Sequence, residues 1–182
     1  GSVVGVVSLG MIGRTLCGLL QHFGVKVLAY DPFAPSDVFS GLRAESCSLE
    51  DIFRRSDVVT LHTPLLPETT GLVTGAHIAS MKRNATLINT SRGAVIREAE
   101  MLAVLQQRPD LFAVLDVTSP EPALPESPLF TLPNVVVTPH IAGPLNTEYR
   151  RLGRTMADEL RRFVNGEPLR YEITRERAPM LA

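Results

Sequence analysis

The feature that most constrains the fold is a set of six short apolar runs spaced along the 182-residue chain. They are rich in β-branched residues and nearly continuous in apolar character, as strands buried on both faces require. Helical patterns lie between them, with apolar residues one turn apart in residues 16–23 and at compatible spacing in residues 96–107. This alternation predicts an α/β fold with a doubly wound, mostly parallel sheet and helices on both faces. The runs are Val3–Val7, Val25–Tyr30, Val58–Leu61, Ala85–Ile88, Phe112–Leu115 and Val135–Thr138.

Two further segments define the organisation of the chain. Residues 119–128 contain too many prolines for a helix or a central strand, because proline lacks an amide donor, so an ordered loop is expected. Residues 147–164 predict a long amphipathic helix that ends at Asn165-Gly166 in a left-handed cap, before a loosely held tail from Glu167 to Ala182. We therefore expect a main domain over residues 1–145 and a C-terminal helix and tail over residues 146–182.

Composition argues against several classes of function. The 18 basic and 19 acidic residues give a net charge of −1 and form no basic footprint, so a nucleic-acid partner is not expected. No apolar stretch approaches the roughly 20 residues of a membrane-spanning helix. Cys17 and Cys47 form neither a disulfide framework nor a metal-binding cluster with histidine, and no leader pattern precedes the first run. These observations favour a cytoplasmic protein with no bound metal and no membrane partner.

The turn after the first apolar run has the spacing of a dinucleotide-binding fingerprint. The run leads through residues 8–13, Ser-Leu-Gly-Met-Ile-Gly, into a helix, where backbone amides and the positive helix end can hold a pyrophosphate. Gly10 and Gly13 occupy the second and third glycine positions of the fingerprint. Ser8 replaces the first glycine, and a serine there is expected to lose the freedom to adopt a positive φ. The motif alone is weak evidence.

Asp31 strengthens this interpretation. It closes the second apolar run 18 residues after Gly13, where a carboxylate can accept hydrogen bonds from the adenosine ribose hydroxyls. The same charge would repel a 2′-phosphate, and the following residues 32–34, Pro-Phe-Ala, supply no arginine that would reverse the preference. The unit as a whole predicts a Rossmann domain that binds NAD rather than NADP.

Three later segments resemble the signature blocks of the D-isomer-specific 2-hydroxyacid dehydrogenases. They are Ile88–Gly93 (INTSRG), residues 115–122 (LDVTSPEP) and Thr138–Gly143 (TPHIAG). Residues 61–70 (LHTPLLPETT) also match, so the resemblance spans nearly the whole chain in the family's order. Two departures occur where the family often has glycine-containing turns, at residues 83–84 and 108–110. Asn84 can still visit the left-handed region, so the fold is not threatened.

The resemblance implies a catalytic set of Arg92, Glu121 and His140. Each residue follows a predicted strand, and ligands of open α/β sheets gather at the carboxyl ends of strands, so the three can converge. Imidazole titrates near the working pH, which suits His140 to take the hydroxyl proton as hydride leaves carbon. By resemblance, Glu121 stabilises the protonated ring and fixes its orientation. The Arg92 guanidinium can grip a substrate carboxylate and polarise its carbonyl.

The resemblance also assigns a cofactor site. Asp116 matches the position that hydrogen-bonds the nicotinamide carboxamide. His62 has no evident partner for chemistry, and a place along the cofactor cleft stays open for it, whereas His22 and His77 are expected at the surface. The residues expected to contact NAD are Gly10, Met11, Ile12, Gly13, Asp31, Thr63, Pro64, Thr69, Thr90, Ser91, Asp116, His140 and Gly143.

Full-length members of this family carry a second domain for the substrate, built mainly from a segment ahead of the nucleotide-binding domain. We expect that substrate domain to be largely absent here, so this chain alone should bind NAD but turn over little. The complete protein is expected to act on a D-2-hydroxy acid or 2-keto acid as a homodimer. Two alternatives stay open: an NAD(H)-sensing module of the corepressor type, and a phosphite or other dehydrogenase on the same scaffold.

Overall fold

The computed structural model describes residues 1–176 and 178, and its strands form one seven-stranded sheet in which every pairing is parallel. The strands are β1 (Val3–Val7), β2 (Lys26–Tyr30), β3 (Glu45–Ser46), β4 (Val58–Leu61), β5 (Thr86–Asn89), β6 (Phe112–Leu115) and β7 (Val135–Val137). Their order is β3-β2-β1-β4-β5-β6-β7, so the direction of winding reverses at β1. This is the predicted doubly wound Rossmann sheet.

Six α-helices connect the strands or follow them in the described part of the chain. The predicted helix over residues 96–107 begins only at Glu98, because Ile96 forms an extended bridge with Val73 and the Arg97 amide donates to the Val73 carbonyl. The helices are α1 (Met11–Leu20), α2 (Ser36–Gly41), α3 (Leu49–Arg55), α4 (Gly75–Ala79), α5 (Glu98–Gln107) and α6 (Thr147–Val164).

The strand bounds differ from the predicted runs by one residue at three places. β2 begins after Val25, β5 covers Thr86–Asn89 rather than Ala85–Ile88, and β7 ends before Thr138. The two-residue edge strand β3 was not predicted, because Glu45 and Ser46 are polar and carry no strand pattern. It is assigned only through its pairing with β2.

Two apolar clusters cover opposite faces of the sheet. Neighbouring residues of β1 alternate between them, with Val6 in the smaller cluster and Val7 in the larger. Cys17 of α1 and Phe39 of α2 join the smaller cluster, whereas Phe53 of α3 joins the larger. Helices therefore lie on both faces of the sheet, as the apolar runs predicted.

The helix predicted over residues 16–23 is present, but its apolar stripe is only partly buried, because Leu16 and Leu20 pack against the smaller cluster and Leu19 and Phe23 do not. Gly13 and Cys17 are buried, whereas Leu19 is 57% exposed and Phe23 is 74% exposed. A close approach of α1 to the sheet explains this difference, because glycine and cysteine are small enough to let the helix axis come near. Phe23 also lies beyond α1, in a short 3-10 helix.

His77 corrects another expectation, since it is not a surface residue. Its side chain is 15% exposed, and its ring lies 5.2 Å from that of Phe53. Its Nδ1 accepts the backbone amide of Thr74, while the Thr74 side chain accepts the amide of His77. The pair forms a reciprocal cap at the start of α4, which gives His77 a structural role.

Both departures from the family's turn pattern are accommodated. Asn84 adopts a left-handed conformation with φ of 64°, as predicted. At the second turn, the Arg108 guanidinium makes two hydrogen bonds to the Asp110 carboxylate, at 2.8 and 2.6 Å, and a third at 2.9 Å to the Ala79 carbonyl. Side-chain bonds thus stabilise a turn that lacks glycine.

The described residues from His140 onward form a compact unit distinct from residues 1–139. Within it, α6 has the predicted bounds and is followed by Gly166 with φ of 68°. The Glu159 carboxylate accepts the amides of Arg170 and Tyr171, so the tail is anchored there rather than loosely held. The rest of the predicted tail, residues 177 and 179–182, lies outside the described residues. No helix among those described is long and apolar enough to cross a membrane.

Candidate nucleotide-binding and active site

The register of the sheet aligns the carboxyl ends of six strands. Val7 pairs with both Tyr30 and Leu61, and the alignment continues through Asn89 and Leu115 to Val137. The residues that directly follow these strands therefore share one edge, where ligands of open α/β sheets bind. They are Ser8, Asp31, His62, Thr90, Asp116 and Thr138.

Ser8 adopts the backbone conformation that its identity was expected to forbid. Its φ is 78°, and its amide donates to the Tyr30 carbonyl at 2.7 Å. The turn after β1 therefore keeps the shape of the fingerprint, and a side chain in the left-handed region costs roughly 1–2 kcal/mol. The expected loss of positive φ at this position is wrong.

Gly13 permits the close packing of α1 against the end of β1. A Cβ built on Gly13 would lie 2.1 Å from the Ser8 carbonyl oxygen, a distance that no side chain can occupy. Gly10, by contrast, faces open space, because a Cβ there would meet nothing within 4 Å. The third fingerprint glycine thus serves helix packing, and the second leaves room for a ligand to approach the backbone.

The start of α1 suits an anion. No acidic side chain lies in its first turn, and no side chain caps its amides. The amides of Met11, Ile12 and Gly13 precede the first bond within the helix, from Arg14 to Gly10, so they are available to phosphate oxygens. Sequence reasoning overlooked Arg14, whose Nε donates to the Leu9 carbonyl at 2.7 Å and adds positive charge to this turn.

The Asp31 carboxylate is held by three backbone amides. Oδ2 accepts the Leu9 amide at 2.7 Å, and Oδ1 accepts those of Phe33 and Ala34 at 2.8 and 3.1 Å. A carboxylate has about four acceptor positions, so about one remains for a ribose hydroxyl. Asp31 therefore has both an expected role toward the ribose and a present one, which is to fix the glycine turn.

The segment after β4 contains an unsatisfied buried hydroxyl. Thr63 is 5% exposed, and its Oγ1 has no hydrogen-bond partner in the described structure. A buried polar atom of this kind favours a ligand, because leaving it unpaired costs free energy. Thr69 lies nearby in sequence, and its hydroxyl accepts the Leu66 amide and donates to the Pro64 carbonyl, which closes the intervening loop.

His62 is largely buried at this edge. Its Nε2 lies 3.1 Å from the Thr60 hydroxyl, and burial lowers the pKa of the imidazole. A neutral ring that is hydrogen-bonded to a threonine of β4 is better suited to lining the cleft than to transferring a proton.

Asn89 shapes the turn that carries Arg92. Its Oδ1 accepts both the amide and the hydroxyl of Ser91, and its Nδ2 donates to the Arg92 carbonyl at 3.0 Å. Arg92 itself is exposed, with one guanidinium nitrogen donating to the Ser91 carbonyl. A fully buried asparagine therefore fixes the backbone from which the Arg92 side chain extends, a contact that sequence reasoning did not predict.

The Arg92–Gly93 turn lies directly against the loop that carries Glu121. A Cβ on Gly93 would lie 2.0 Å from the Thr118 carbonyl oxygen and 2.8 Å from the Ser119 amide nitrogen. Glu121 follows Ser119 by two residues and is exposed. The structure thus brings together the two segments that contain Arg92 and Glu121.

Glu98, at the first position of α5, holds the same loop from another side. Its Oε2 accepts the Ser119 amide at 2.8 Å, and burial raises the pKa of its carboxyl. Sequence reasoning missed it, because an acidic residue in the first helical turn is ordinary and gives no sign of a partner 21 residues away.

Three predicted residues remain: Asp116 lies in the first unit, after β6, and His140 and Gly143 lie in the second. Asp116 is 4% exposed and accepts a hydrogen bond from the Thr138 hydroxyl, which links the ends of β6 and β7. His140 and Gly143 belong to the unit of residues 140–182. His140 has φ of 53°, a conformation that is uncommon outside glycine and occurs often at functional sites.

Residues 1–142 match the family described as D-isomer specific 2-hydroxyacid dehydrogenase, NAD binding domain, and the chain belongs to this family. The match confirms the predicted family and NAD as the cofactor. The open glycine turn, the Asp31 carboxylate and the unpaired Thr63 hydroxyl fit that cofactor.

Individual relatives support the same placement. A D-3-phosphoglycerate dehydrogenase of Methanocaldococcus jannaschii is 33% identical over 92% of this chain and 32% of its own length. A glycerate dehydrogenase of Methylorubrum extorquens is 37% identical over 92% of this chain and 52% of its own. The crystal structure of D-lactate dehydrogenase with NAD+ from Lactobacillus jensenii superposes with a TM-score of 0.80 at 27% identity, covering 96% of this chain and 56% of that one. The chain thus spans about a third to a half of these relatives.

Proposed function

We propose that the complete protein transfers hydride between NAD and a D-2-hydroxy acid, interconverting it with the 2-keto acid. The observation that carries this proposal is the contact between the Arg92–Gly93 turn and the loop of Thr118 and Ser119. It joins the segments that carry Arg92 and Glu121, and both segments follow strands of the sheet whose β1 end carries the nucleotide turn. The names of the relatives, which include glycerate and D-lactate dehydrogenases, favour a small hydroxy acid.

Bound NAD supplies the hydride acceptor in oxidation, and NADH the donor in reduction. In the oxidative direction, His140 takes the hydroxyl proton on an imidazole nitrogen as general base, and it returns that proton in reduction. Glu121 stabilises the imidazolium that results. Arg92 holds the substrate carboxylate and polarises the carbonyl, which a planar guanidinium can do through paired hydrogen bonds. Asp116 would hydrogen-bond the nicotinamide carboxamide, and Gly143 is a further residue that would contact the cofactor.

The proposal extends to the assembly of the complete protein. A homodimer formed through nucleotide-binding domains and a cytoplasmic location belong to it. Residues 1–145 are its nucleotide-binding domain, and the helix and tail of residues 146–182 pack toward a substrate domain. NAD binding needs only the nucleotide-binding domain, whereas turnover also needs the substrate domain, because closure over the substrate completes the catalytic arrangement.

A substrate panel on the complete protein tests this function. We expect NADH to be consumed with at least one of glyoxylate, hydroxypyruvate, pyruvate or a bulkier 2-keto acid. His140→Ala should abolish turnover while NADH still binds, whereas His22→Ala, at an exposed position in a 3-10 helix, should leave turnover unchanged. Unaltered turnover in His140→Ala would refute the proton-transfer role. NADH binding without turnover of any acid would favour a sensing module instead.

A further inference from the structure

The loop that carries Glu121 is fixed from two sides by one continuous segment of chain. That segment runs from β5 through the Arg92–Gly93 turn and a 3-10 helix into α5. Gly93 abuts the Thr118 carbonyl, and Glu98 accepts the Ser119 amide at 2.8 Å. The Arg92 segment therefore holds the loop at two adjacent residues, just before Glu121.

We propose that Glu98 is a positioning residue for the hydride-transfer reaction, whose carboxylate fixes the Ser119 backbone and thereby sets where Glu121 lies relative to Arg92. This inference rests on the proposed function, because it requires Glu121 to act in the reaction. Glu98 itself acts through the loop backbone and not on substrate.

The surroundings of the Ser119–Glu98 hydrogen bond indicate that it positions the loop and does not only stabilise the fold. Ser119 precedes a proline, and four of the ten residues of the loop 119–128 are prolines, which removes four backbone donors with which the loop could hold itself in place. The Thr118 hydroxyl donates to the Pro120 carbonyl at 2.8 Å, so the first part of the loop is already compact. The bond from Ser119 to Glu98 then ties this compact segment to the start of α5.

The chemistry of Glu98 suits a bond that is made at working pH. The positive end of α5 favours a negative charge at this first helical position, whereas burial raises the pKa of the carboxyl. An ionised carboxylate accepts from an amide more strongly than a neutral group does. A protonated carboxyl still offers its carbonyl oxygen, so the acceptor persists in either form.

Glu100 provides a matched control in the same helix. Its Oε2 accepts the Gly75 amide at 2.7 Å, so it also joins the first turn of α5 to a backbone amide of another segment. That segment is the start of α4 and does not carry any of the proposed catalytic residues. Loss of either carboxylate should therefore cost similar stability, and only loss of Glu98 should disturb the reaction.

Steady-state kinetics of the complete protein test the proposal. Glu98→Ala should lower kcat by about ten- to a hundredfold, as expected for a displaced catalytic group, and leave the KM for NADH within about twofold. Glu98→Gln keeps an acceptor oxygen and should retain kcat within about threefold of the unmodified protein. Glu100→Ala should leave kcat within about twofold, with a loss of thermal stability similar to that of Glu98→Ala.

Several results would overturn the proposal. An unchanged kcat in Glu98→Ala, with Glu121→Gln inactive, would remove Glu98 from the reaction while leaving the proposed function intact. Equal losses of kcat in Glu98→Ala and Glu98→Gln would show that the acceptor oxygen is not what matters. Equal losses of kcat in Glu98→Ala and Glu100→Ala would show that both substitutions act through a general effect on folding. Full activity in Glu121→Gln would contradict both this inference and the catalytic role of Glu121.

Discussion

The backbone amide of Leu9 donates to Oδ2 of Asp31 at 2.7 Å, which joins the glycine turn after β1 to the end of β2. The acid that we predict to bind the adenosine ribose and the turn that we predict to hold the pyrophosphate are thus parts of one hydrogen-bonded unit. A change at Asp31 must act on both, because its other oxygen is bonded to the amides of Phe33 and Ala34.

Asp31→Asn should weaken NAD binding by about tenfold and reduce the preference for NAD over NADP. The amide loses the charge that disfavours a 2′-phosphate, and it provides one acceptor oxygen in place of two. Titration with both nucleotides measures the effect. Asp37→Asn, at an exposed position where the carboxylate accepts the Val38 amide, is the control and should bind NAD normally. Equal NAD affinity in Asp31→Asn and the unmodified protein would contradict the role of Asp31.

Ser8→Gly should stabilise the fold by about 0.5–1 kcal/mol. Glycine adopts the observed φ of 78° without strain, although its greater freedom in the unfolded chain offsets part of the gain. Ser8→Ala is the matched control, because it removes the hydroxyl and keeps the Cβ that causes the strain. Urea denaturation compares the two variants, and a Ser8→Ala protein as stable as Ser8→Gly would exclude the backbone as the cause.

Gly93→Ala should destabilise the protein by at least about 2 kcal/mol, because the new Cβ meets the Thr118 carbonyl at 2.0 Å and the backbone must shift. Gly18→Ala, in α1 with nothing within 4 Å of the added Cβ, should instead be neutral or stabilising by up to about 1 kcal/mol. Thermal unfolding of the two variants gives the comparison. Similar melting temperatures would show that the Arg92 turn and the Glu121 loop do not pack as described.

The Arg108–Asp110 pair should contribute to acid sensitivity. Hydrogen bonding to Arg108 lowers the pKa of Asp110 to about 2, from an ordinary value of 3.8. A carboxyl whose pKa is lower in the folded than in the unfolded protein stabilises the native state at a pH above its unfolded-state pKa. That contribution is lost as the pH falls through its folded-state pKa. Asp110→Asn should therefore be less stable than the unmodified protein above about pH 4, and the difference should shrink steadily as pH falls toward about 2. Urea midpoints between these pH values test this, and a difference that is constant with pH would contradict it.

Local patterns were enough to predict the sheet and the nucleotide turn. The apolar runs placed six of the seven strands to within a residue, because each run is buried on both faces and so has a recognisable composition. β3 was missed because its two polar residues become a strand only by pairing with β2. The Gly10, Gly13 and Asp31 spacing predicted the NAD-binding family that the family match confirms, whereas the contacts of these residues with the cofactor stay predictions.

Contacts between distant residues could not be predicted in this way. Glu98 and Ser119, or Gly93 and Thr118, meet because parallel strands β5 and β6 are neighbours, and no local pattern marks the pairs. At Ser8 a local rule gave the wrong prediction. Serine disfavours a positive φ, but the hydrogen bonds from Ser8 to Tyr30 and from Leu9 to Asp31 hold the turn in that conformation. The roles of Arg92, Glu121 and His140 stay predictions that kinetics must test.

Calorimetric titration of this chain with NAD and with NADP tests the central claim most directly, since every proposed role depends on a nucleotide-binding domain. We predict saturable NAD binding at or below millimolar concentration, with NADP at least about tenfold weaker because of the Asp31 charge. The absence of binding heat at millimolar NAD, or tighter binding of NADP, would contradict the account.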